Sequence, residues 1–276
     1  MKRITVVSIV LSVVLALLIV LGFFIFAQER EIKQPKEEIL PKELKTSSSE
    51  TTGKARITLI TIYDNYKANP GLKTGWGFSC LVKIEGENIL FDTGADSETL
   101  LSNMEKMRID PKEIDFVFIS HWHADHTGGL AGILKIKPNL KVYKPESFSD
   151  PAQIINGVWT TGPLGTDIKE QSLIIKSTEG LIIITGCSHP GIVNIVKKAK
   201  EMFPHENVYL VLGGFHLFGA SDSELKTIIN DFQKLGVQKV APCHCSGDRC
   251  RELFKKEYRE NFIENGVGKI IEITKN

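Results

Sequence analysis

A short run near the middle of the chain holds four side chains that commonly bind metal ions. His121 and His123 stand two residues apart, and Asp125 and His126 follow closely. In extended or loop backbone, residues two apart point to the same side, so the first two imidazoles can bind one ion. Asp125 and His126 can then face a second ion beside the first. Imidazole suits zinc, copper, iron or nickel, and a carboxylate extends the choice to manganese.

The residues on either side of this run predict how it is held. Positions 115–119 are mostly apolar, as is typical of a buried strand, and positions 127–130 are typical of the start of a helix. The run therefore lies on a loop at the C-terminal end of a strand, where α/β proteins place their chemistry. A lone histidine is usually a surface or core residue without an ion. Four potential ligands rarely meet by chance beside a buried strand.

The run matches H-x-H-x-D-H, and in this the sequence resembles the metallo-β-lactamase-fold hydrolases, for which it is the first metal motif. The resemblance extends over about residues 56–273. The hydrophobic pattern alone predicts only a mixed α/β (α+β) domain, with strands early and helices between strands later. The resemblance implies more, a four-layer αββα sandwich with helices outside two sheets.

Two later strand–loop–helix junctions carry further histidines. His189 lies in G-C-S-H-P-G, and the resemblance implies that it completes the first metal site. Three imidazoles around one ion leave an open fourth position, as in catalytic zinc sites. His244 lies in P-C-H-C-S-G, and the resemblance implies that it binds the second metal with the carboxylate and last histidine of the first motif. The alternative there is that Cys243 and Cys245 are ligands too.

The strand that ends in G-G-F-H-L departs from the family pattern. Many relatives carry an aspartate at this place that bridges both metals, and this sequence has His216 nearby instead. His216 is open to three roles: binding the second ion, hydrogen bonding to the substrate, and proton transfer. Without the carboxylate two cations repel more strongly, so the sequence leaves open whether one ion binds or two.

Asp92, in F-D-T-G, is predicted to hydrogen bond to a metal ligand without contacting the metal itself. The resemblance implies that it accepts the free N–H of a ligand histidine and so fixes the tautomer of that ring. The alternative is a plain turn residue before Gly94.

Composition limits the partners that the chain can be expected to have. The 276 residues include 34 basic and 33 acidic side chains, a balance that gives no electrostatic argument for nucleic acid. Five cysteines are too few and too scattered for a disulfide framework. We therefore expect a small-molecule substrate and no nucleic acid, while the oligomeric state has no signal in the sequence.

The N-terminus predicts a single membrane-spanning helix. The run Ile4–Ala27 contains no charged residue, and a helix of that length spans a hydrocarbon core of roughly 30 Å. A cleaved signal peptide is the alternative, but the run is long for one and residues 25–27 are a poor cleavage site. Lys2 and Arg3 favour a cytoplasmic N-terminus, which would leave the catalytic domain outside the cytoplasm.

Charged, hydroxyl-rich sequence then predicts a flexible stalk between this segment and the domain. The predicted division is a cytoplasmic N-terminus at 1–3, an anchor or signal at 4–27, a stalk at 28–54 and the metallo-β-lactamase-fold domain at 55–276.

Taken together, the five motifs resemble one branch of the fold most closely. That branch is named after a 7,8-dihydropterin-6-yl-methyl-4-(β-D-ribofuranosyl)aminobenzene 5'-phosphate synthase. The first hypothesis is a metal-dependent hydrolase of an ester, phosphoester, lactone or related small molecule, in which an ion activates water. Asp125 would orient the nucleophile and His216 would move a proton. We expect one or two zinc ions, with manganese or iron as alternatives.

The second hypothesis is non-hydrolytic. It comprises the pterin-linked synthase reaction, or a non-catalytic metal-dependent binding domain at the cell surface. The fold alone does not choose between these functions.

Overall fold

The computed structural model describes residues 56–274 of the chain. The predicted membrane segment and stalk lie outside the described residues, and the predicted division of the chain stays a prediction. Among the helices of residues 56–274, none is long and apolar enough to cross a membrane.

One six-stranded sheet contains strands from both ends of the described chain. These strands are β1 Arg56–Tyr63, β2 Ser79–Ile84, β3 Glu87–Phe91, β4 Phe116–Phe118, β5 Lys141–Tyr143 and β12 Ile270–Thr274. Their order across the sheet is β12-β1-β2-β3-β4-β5. β12 returns to pair antiparallel with β1, with Arg56 opposite Thr274. β3, β4 and β5 run parallel to one another.

A second six-stranded sheet is built from consecutive strands of the later chain. These strands are β6 Ala152–Ile155, β7 Val158–Thr160, β8 Leu173–Lys176, β9 Leu181–Thr185, β10 Val208–Gly214 and β11 Val237–Cys243. Their order is β11-β10-β9-β8-β7-β6. β9, β10 and β11 are parallel, so their C-terminal ends meet at one edge of the sheet.

Within residues 56–274, six α-helices connect the strands. They are α1 Ser97–Lys106, α2 Ala124–Thr127, α3 Leu130–Ile136, α4 Ile192–Met202, α5 Asp222–Lys234 and α6 Asp248–Tyr258. The side chain of Asp96 caps α1 by accepting from the N–H of Thr99. Ser221 and Glu224 form a reciprocal capping box at the start of α5.

Apolar side chains form three layers of core. Phe91, Phe118 and Leu212 lie in the core between the two sheets. A second core packs α4, α5 and α6 against the outer face of the later sheet. A third packs α1 and α3 against the other sheet, with Leu90 and Val117 pointing outward from their strands. Strands covered on both faces are continuously apolar. This arrangement confirms the predicted four-layer αββα sandwich.

Candidate metal centre

The predicted site residues lie on loops that follow the C-terminal ends of parallel strands in both sheets. Those after β3 and β4 come from one sheet, and those after β9, β10 and β11 come from the other. The sandwich thus brings together residues that are far apart in sequence. The six predicted metal ligands fall into two groups at this edge.

The first group, the three-histidine group, consists of His121, His123 and His189. Each offers one ring nitrogen, and these nitrogens lie within 4.8 Å of one another. The Nε2 atoms of His121 and His189 are 3.3 Å apart. His121 is fully buried whereas His123 is exposed, so the group opens to solvent on one side.

A hydrogen-bond chain fixes the tautomer of His121. Ser120 Oγ donates to Asp92 Oδ2 at 2.7 Å, and the same hydroxyl lies 2.9 Å from His121 Nδ1. Because the hydroxyl proton is committed to the carboxylate, Ser120 accepts from Nδ1–H. The lone pair of His121 is therefore on Nε2, which faces His189.

The second group, the mixed group, consists of Asp125, His126, His244 and Cys187, again with all four atoms within 4.8 Å. The Nε2 atoms of His126 and His244 are 3.2 Å apart, and Asp125 Oδ2 is 3.3 Å from His244 Nε2. Cys187 is a member that sequence reasoning missed. The cysteines considered there, Cys243 among them, do not belong to either group.

Both imidazoles of the mixed group are held in the same tautomer. Asp92 Oδ2 accepts from His126 Nδ1 at 2.7 Å. Asn65 Nδ2 donates to the His244 carbonyl at 3.3 Å, which turns Asn65 Oδ1 toward His244 Nδ1 at 3.2 Å. Each ring thus directs Nε2 at the other. Asn65 lies in no motif that could have identified it.

This donor set fits a divalent cation. Facing imidazole lone pairs repel unless positive charge lies between them, and a carboxylate and a sulfur atom close on the same point. Burial lowers the pKa of His126, but the charge and hydrogen bond of Asp92 outweigh it and the net pKa is raised. The mixed group therefore favours positive charge, either as a proton on His126 or as a metal ion. Metal binding would displace the His126 proton.

The three-histidine group behaves differently on protonation. Burial, together with the neighbouring imidazoles, lowers the pKa of His121 well below its usual range. Burial and the nearby His216 lower the pKa of His189 to about 4. Both rings are thus neutral at physiological pH, the state in which a histidine can bind an ion.

Glu170 organises the loop that carries Cys187 and His189, and sequence reasoning missed it as well. Its buried carboxylate accepts from four consecutive backbone N–H groups, those of residues 186–189, at 2.8 to 3.1 Å. The hydroxyl of Thr185 donates to the same carboxylate at 3.1 Å. Burial raises the pKa of Glu170, and the N–H donors oppose that rise.

His216 stands beside the three-histidine group. Its ring centroid is 4.6 Å from that of His189, and its ligand nitrogen lies within 4.8 Å of His189 and Cys187. A hydrogen bond to Cys245 raises the pKa of His216, against the effect of burial. His216 is exposed and so reaches both the site and solvent.

The backbone of the site is strained. Asp92, Ser188, His216 and His244 all have φ between 49° and 66°, a left-handed conformation that is costly for residues other than glycine. Gly186 allows a further close approach, because a Cβ there would collide with the hydroxyl of Ser120. Such strain persists only where the surrounding structure imposes it.

Exposed aromatic side chains surround the mouth of the centre. Trp76, Trp122 and Phe218 are 54%, 49% and 78% exposed. The ring centroid of Trp76 is 5.1 Å from that of His244. A groove of about 540 Å³ begins at His216 and runs past Phe218 along α5. Large exposed rings around a polar site are typical of ligand-binding surfaces.

The chain is similar to several known proteins. The family described as the metallo-beta-lactamase superfamily matches residues 77–193. A protein of Methanocaldococcus jannaschii named 7,8-dihydropterin-6-methyl-4-(beta-D-ribofuranosyl)-aminobenzene-5'-phosphate synthase is 31% identical, over 78% of this chain and 96% of its own. A crystal structure of a metal-dependent hydrolase of the beta-lactamase superfamily matches with 28% identity and a TM-score of 0.67, over 79% of this chain and 99% of that one.

The short form of human tRNase Z shares the fold, with a TM-score of 0.52 over 78% of this chain and 98% of that one, at 15% identity.

Proposed function

The chain belongs to the metallo-beta-lactamase superfamily, and on that premise we propose that it is a metal-dependent hydrolase of a small-molecule ester, phosphoester or lactone. The observation that carries the proposal is the three-histidine group, which directs three ring nitrogens at one point and is open on one side. Three imidazoles and a free position are the donor set of catalytic zinc sites.

In this proposal the three-histidine group holds one ion and Asp125, His126 and His244 hold another. When bound, a divalent ion lowers the pKa of a coordinated water to near neutrality and polarises the substrate oxygen. Zinc fits the imidazole-rich donor set best, with iron or manganese as alternatives. Asp92 keeps the lone pair of His126 turned toward the ion by holding its Nδ1 proton.

Asp125 and His216 are the proposed catalytic residues. The Asp125 carboxylate is 21% exposed, so one oxygen can accept a hydrogen bond from the nucleophile and orient it while the carboxylate faces the mixed group. The pKa of His216 is raised above that of a free imidazole, so the ring holds a proton that it can donate as a general acid. Its position beside His189 suits donation of that proton to the leaving group.

The aromatic rim suggests which substrates fit. Trp76 and Trp122 stand on loops next to the histidines, and Phe218 stands beside the groove. Rings in these positions can stack on a planar or apolar part of a small molecule while its polar end reaches the centre. We propose a substrate with such a flat or apolar group.

A second candidate function is the reaction of the M. jannaschii synthase. It is supported by 31% identity over 78% of this chain, and a flat pterin ring would suit the aromatic rim. A third is metal-dependent binding without turnover. We further propose, from the N-terminal sequence alone, that the domain is anchored in the membrane and lies outside the cytoplasm.

The test uses the full chain, purified in mild detergent and loaded with zinc, on a panel of esters, phosphodiesters and lactones. We expect turnover that a chelator removes, that zinc restores and that His121→Ala abolishes. The matched control is His205→Ala, which removes an exposed histidine away from the site.

Turnover that survives in His121→Ala would refute the role of the three-histidine group. Zinc binding with no hydrolysis on any substrate, but condensation of a pterin substrate, would favour the second candidate. Zinc binding with no reaction at all would favour the third.

A further inference from the structure

Cys187 is the one member of the mixed group that neither the motif pattern nor the proposed function uses. We propose that its thiolate is a metal ligand, and that it completes a closed four-ligand site with Asp125, His126 and His244. This inference rests on the proposed function, since it concerns the second ion of the same centre.

Five of the six distances among these four side chains are within about 0.4 Å of the edges of a tetrahedral zinc site. With nitrogen and oxygen ligands at about 2.0–2.1 Å and sulfur at about 2.3 Å, a tetrahedron has edges of about 3.3 Å between nitrogens and about 3.6 Å between nitrogen and sulfur. Cys187 Sγ lies 3.2 Å from His126 Nε2 and 3.4 Å from His244 Nε2. Asp125 Oδ2 lies 3.7 Å and 3.3 Å from the same nitrogens, which are 3.2 Å apart.

While both rings are neutral, hydrogen bonding to the Cys187 thiol does not account for this arrangement. A thiol has one proton and can satisfy one nitrogen, yet two ring nitrogens contact the Cys187 sulfur. Both rings are held with Nδ1 as the donor, by Asp92 and by Asn65, so both present a lone pair to the sulfur in the neutral state. A cation in the middle satisfies all of these atoms at once.

The loop around Cys187 is built to hold the sulfur in this place. The backbone N–H of Cys187 donates to Glu170 at 3.0 Å, and its carbonyl accepts from the Cys245 thiol at 3.6 Å. The side chain is only 3% exposed. Both backbone groups are thus fixed, and the sulfur is kept out of bulk solvent beside the imidazoles.

The negative charge of a Cys187 thiolate would reduce the repulsion between the two metal ions. The sulfur also lies within 4.8 Å of the ligand atoms of His189 and His216, so it stands between the two groups. The end of β10, from Gly213 to His216, carries no carboxylate that could reduce the repulsion between two cations. One thiolate and the Asp125 carboxylate together neutralise a divalent ion, which reduces its repulsion of an ion at the three-histidine group.

The proposal also assigns different tasks to the two ions. Four protein ligands close the mixed site, whereas the three-histidine site keeps an open position for water. A soft sulfur ligand favours zinc over manganese or magnesium at the closed site. The centre would thus combine a structural ion, whose charge is neutralised by its ligands, with a catalytic ion whose neutral imidazole ligands leave it positively charged.

The experiment measures coordination directly on the full chain in mild detergent. In the cobalt-substituted protein we expect a thiolate-to-cobalt charge-transfer band, and in the zinc form one sulfur neighbour at about 2.3 Å by X-ray absorption. Cys187→Ser should lose both signals and bind one ion instead of two. Its second-ion affinity should fall by more than the roughly 10–100-fold that loss of a supporting partner causes.

The matched control is Cys250→Ser, which alters a fully buried cysteine on α6 away from both groups and should keep both signals. If the band is retained in Cys187→Ser but lost in Cys245→Ser, the ligand is Cys245 and the proposal is wrong. Wild-type protein without a sulfur neighbour overturns it too, whether or not any variant folds. Hydrolysis that requires His121 would leave the proposed function intact in either case.

Discussion

Replacing Glu170 with glutamine tests whether one buried carboxylate holds the loop of Cys187 and His189 in place. The native side chain accepts three backbone N–H groups on Oε1 and one, from His189, on Oε2. Glutamine keeps the first oxygen as an acceptor and replaces the second with an NH2 group. That group would face the His189 N–H, donor against donor, at a place where the native distance is 2.8 Å.

The magnitude follows from counting these contacts. One buried N–H loses its acceptor, which costs about 1–3 kcal/mol. Four remaining bonds, three from backbone N–H groups and one from the Thr185 hydroxyl, become bonds to an uncharged acceptor and weaken by about 1 kcal/mol each. A neutral amide is easier to bury than a carboxylate, and this offsets about half of the sum. We expect a net loss of about 2–4 kcal/mol in the free energy of unfolding.

The assay is urea unfolding of wild type and Glu170→Gln, with zinc content measured on the same samples. For a domain of this size the expected loss lowers the melting temperature by about 6–12 °C. Zinc content should fall as well, since His189 and Cys187 lie on the released loop. Glu179→Gln is the control, because it makes the same change at an exposed turn.

A variant with wild-type stability and full zinc content would refute this reasoning. It would mean that Glu170 is protonated in the native protein, because a neutral carboxyl and an amide make similar hydrogen bonds.

Three further predictions concern the same centre. Gly186→Ala should lower zinc content and melting temperature together, because the new methyl group displaces Ser120 from Asp92. Asp92→Asn should weaken metal binding by about 10–100-fold in a competition titration, because an amide has one uncharged acceptor oxygen and cannot accept from both the Ser120 N–H and the His126 Nδ1–H. The folded metal-free protein keeps His189 neutral down to a pKa of about 4, while the unfolded chain takes up that proton below 6.5. As the pH is lowered from 6.5 to 4, the melting temperature of the wild type should therefore fall by more than that of His189→Gln. Equal decreases in melting temperature would contradict the lowered pKa.

Much of the fold and part of the centre could be predicted from sequence. The histidines that follow strand ends carry their signal in residue type and position, and His121 and His189 do lie side by side. The strand order could not be predicted, because the pairing of β1 with β12 depends on contacts across the whole domain.

Glu170 and Asn65 illustrate what the sequence does not encode locally. The partners of Glu170 are backbone N–H groups, which every residue type offers, so no motif marks it. Asn65 contacts His244, which lies 179 residues later in the sequence, so no local pattern links the two residues. Cys187 had a weak signal, since it lies two residues before His189 on a loop at a strand end.

The pairing of the first and last described strands has a consequence for how the protein is made. During translation β1 leaves the ribosome early, but its neighbour at the sheet edge does not exist until residues 270–274 have been synthesised. Until then β1 presents an unpaired edge, which is a template for aggregation. Folding therefore finishes late, through contacts of long sequence separation that slow it. Shortening β12 by a few residues should thus be far more damaging than its place near the C-terminus suggests.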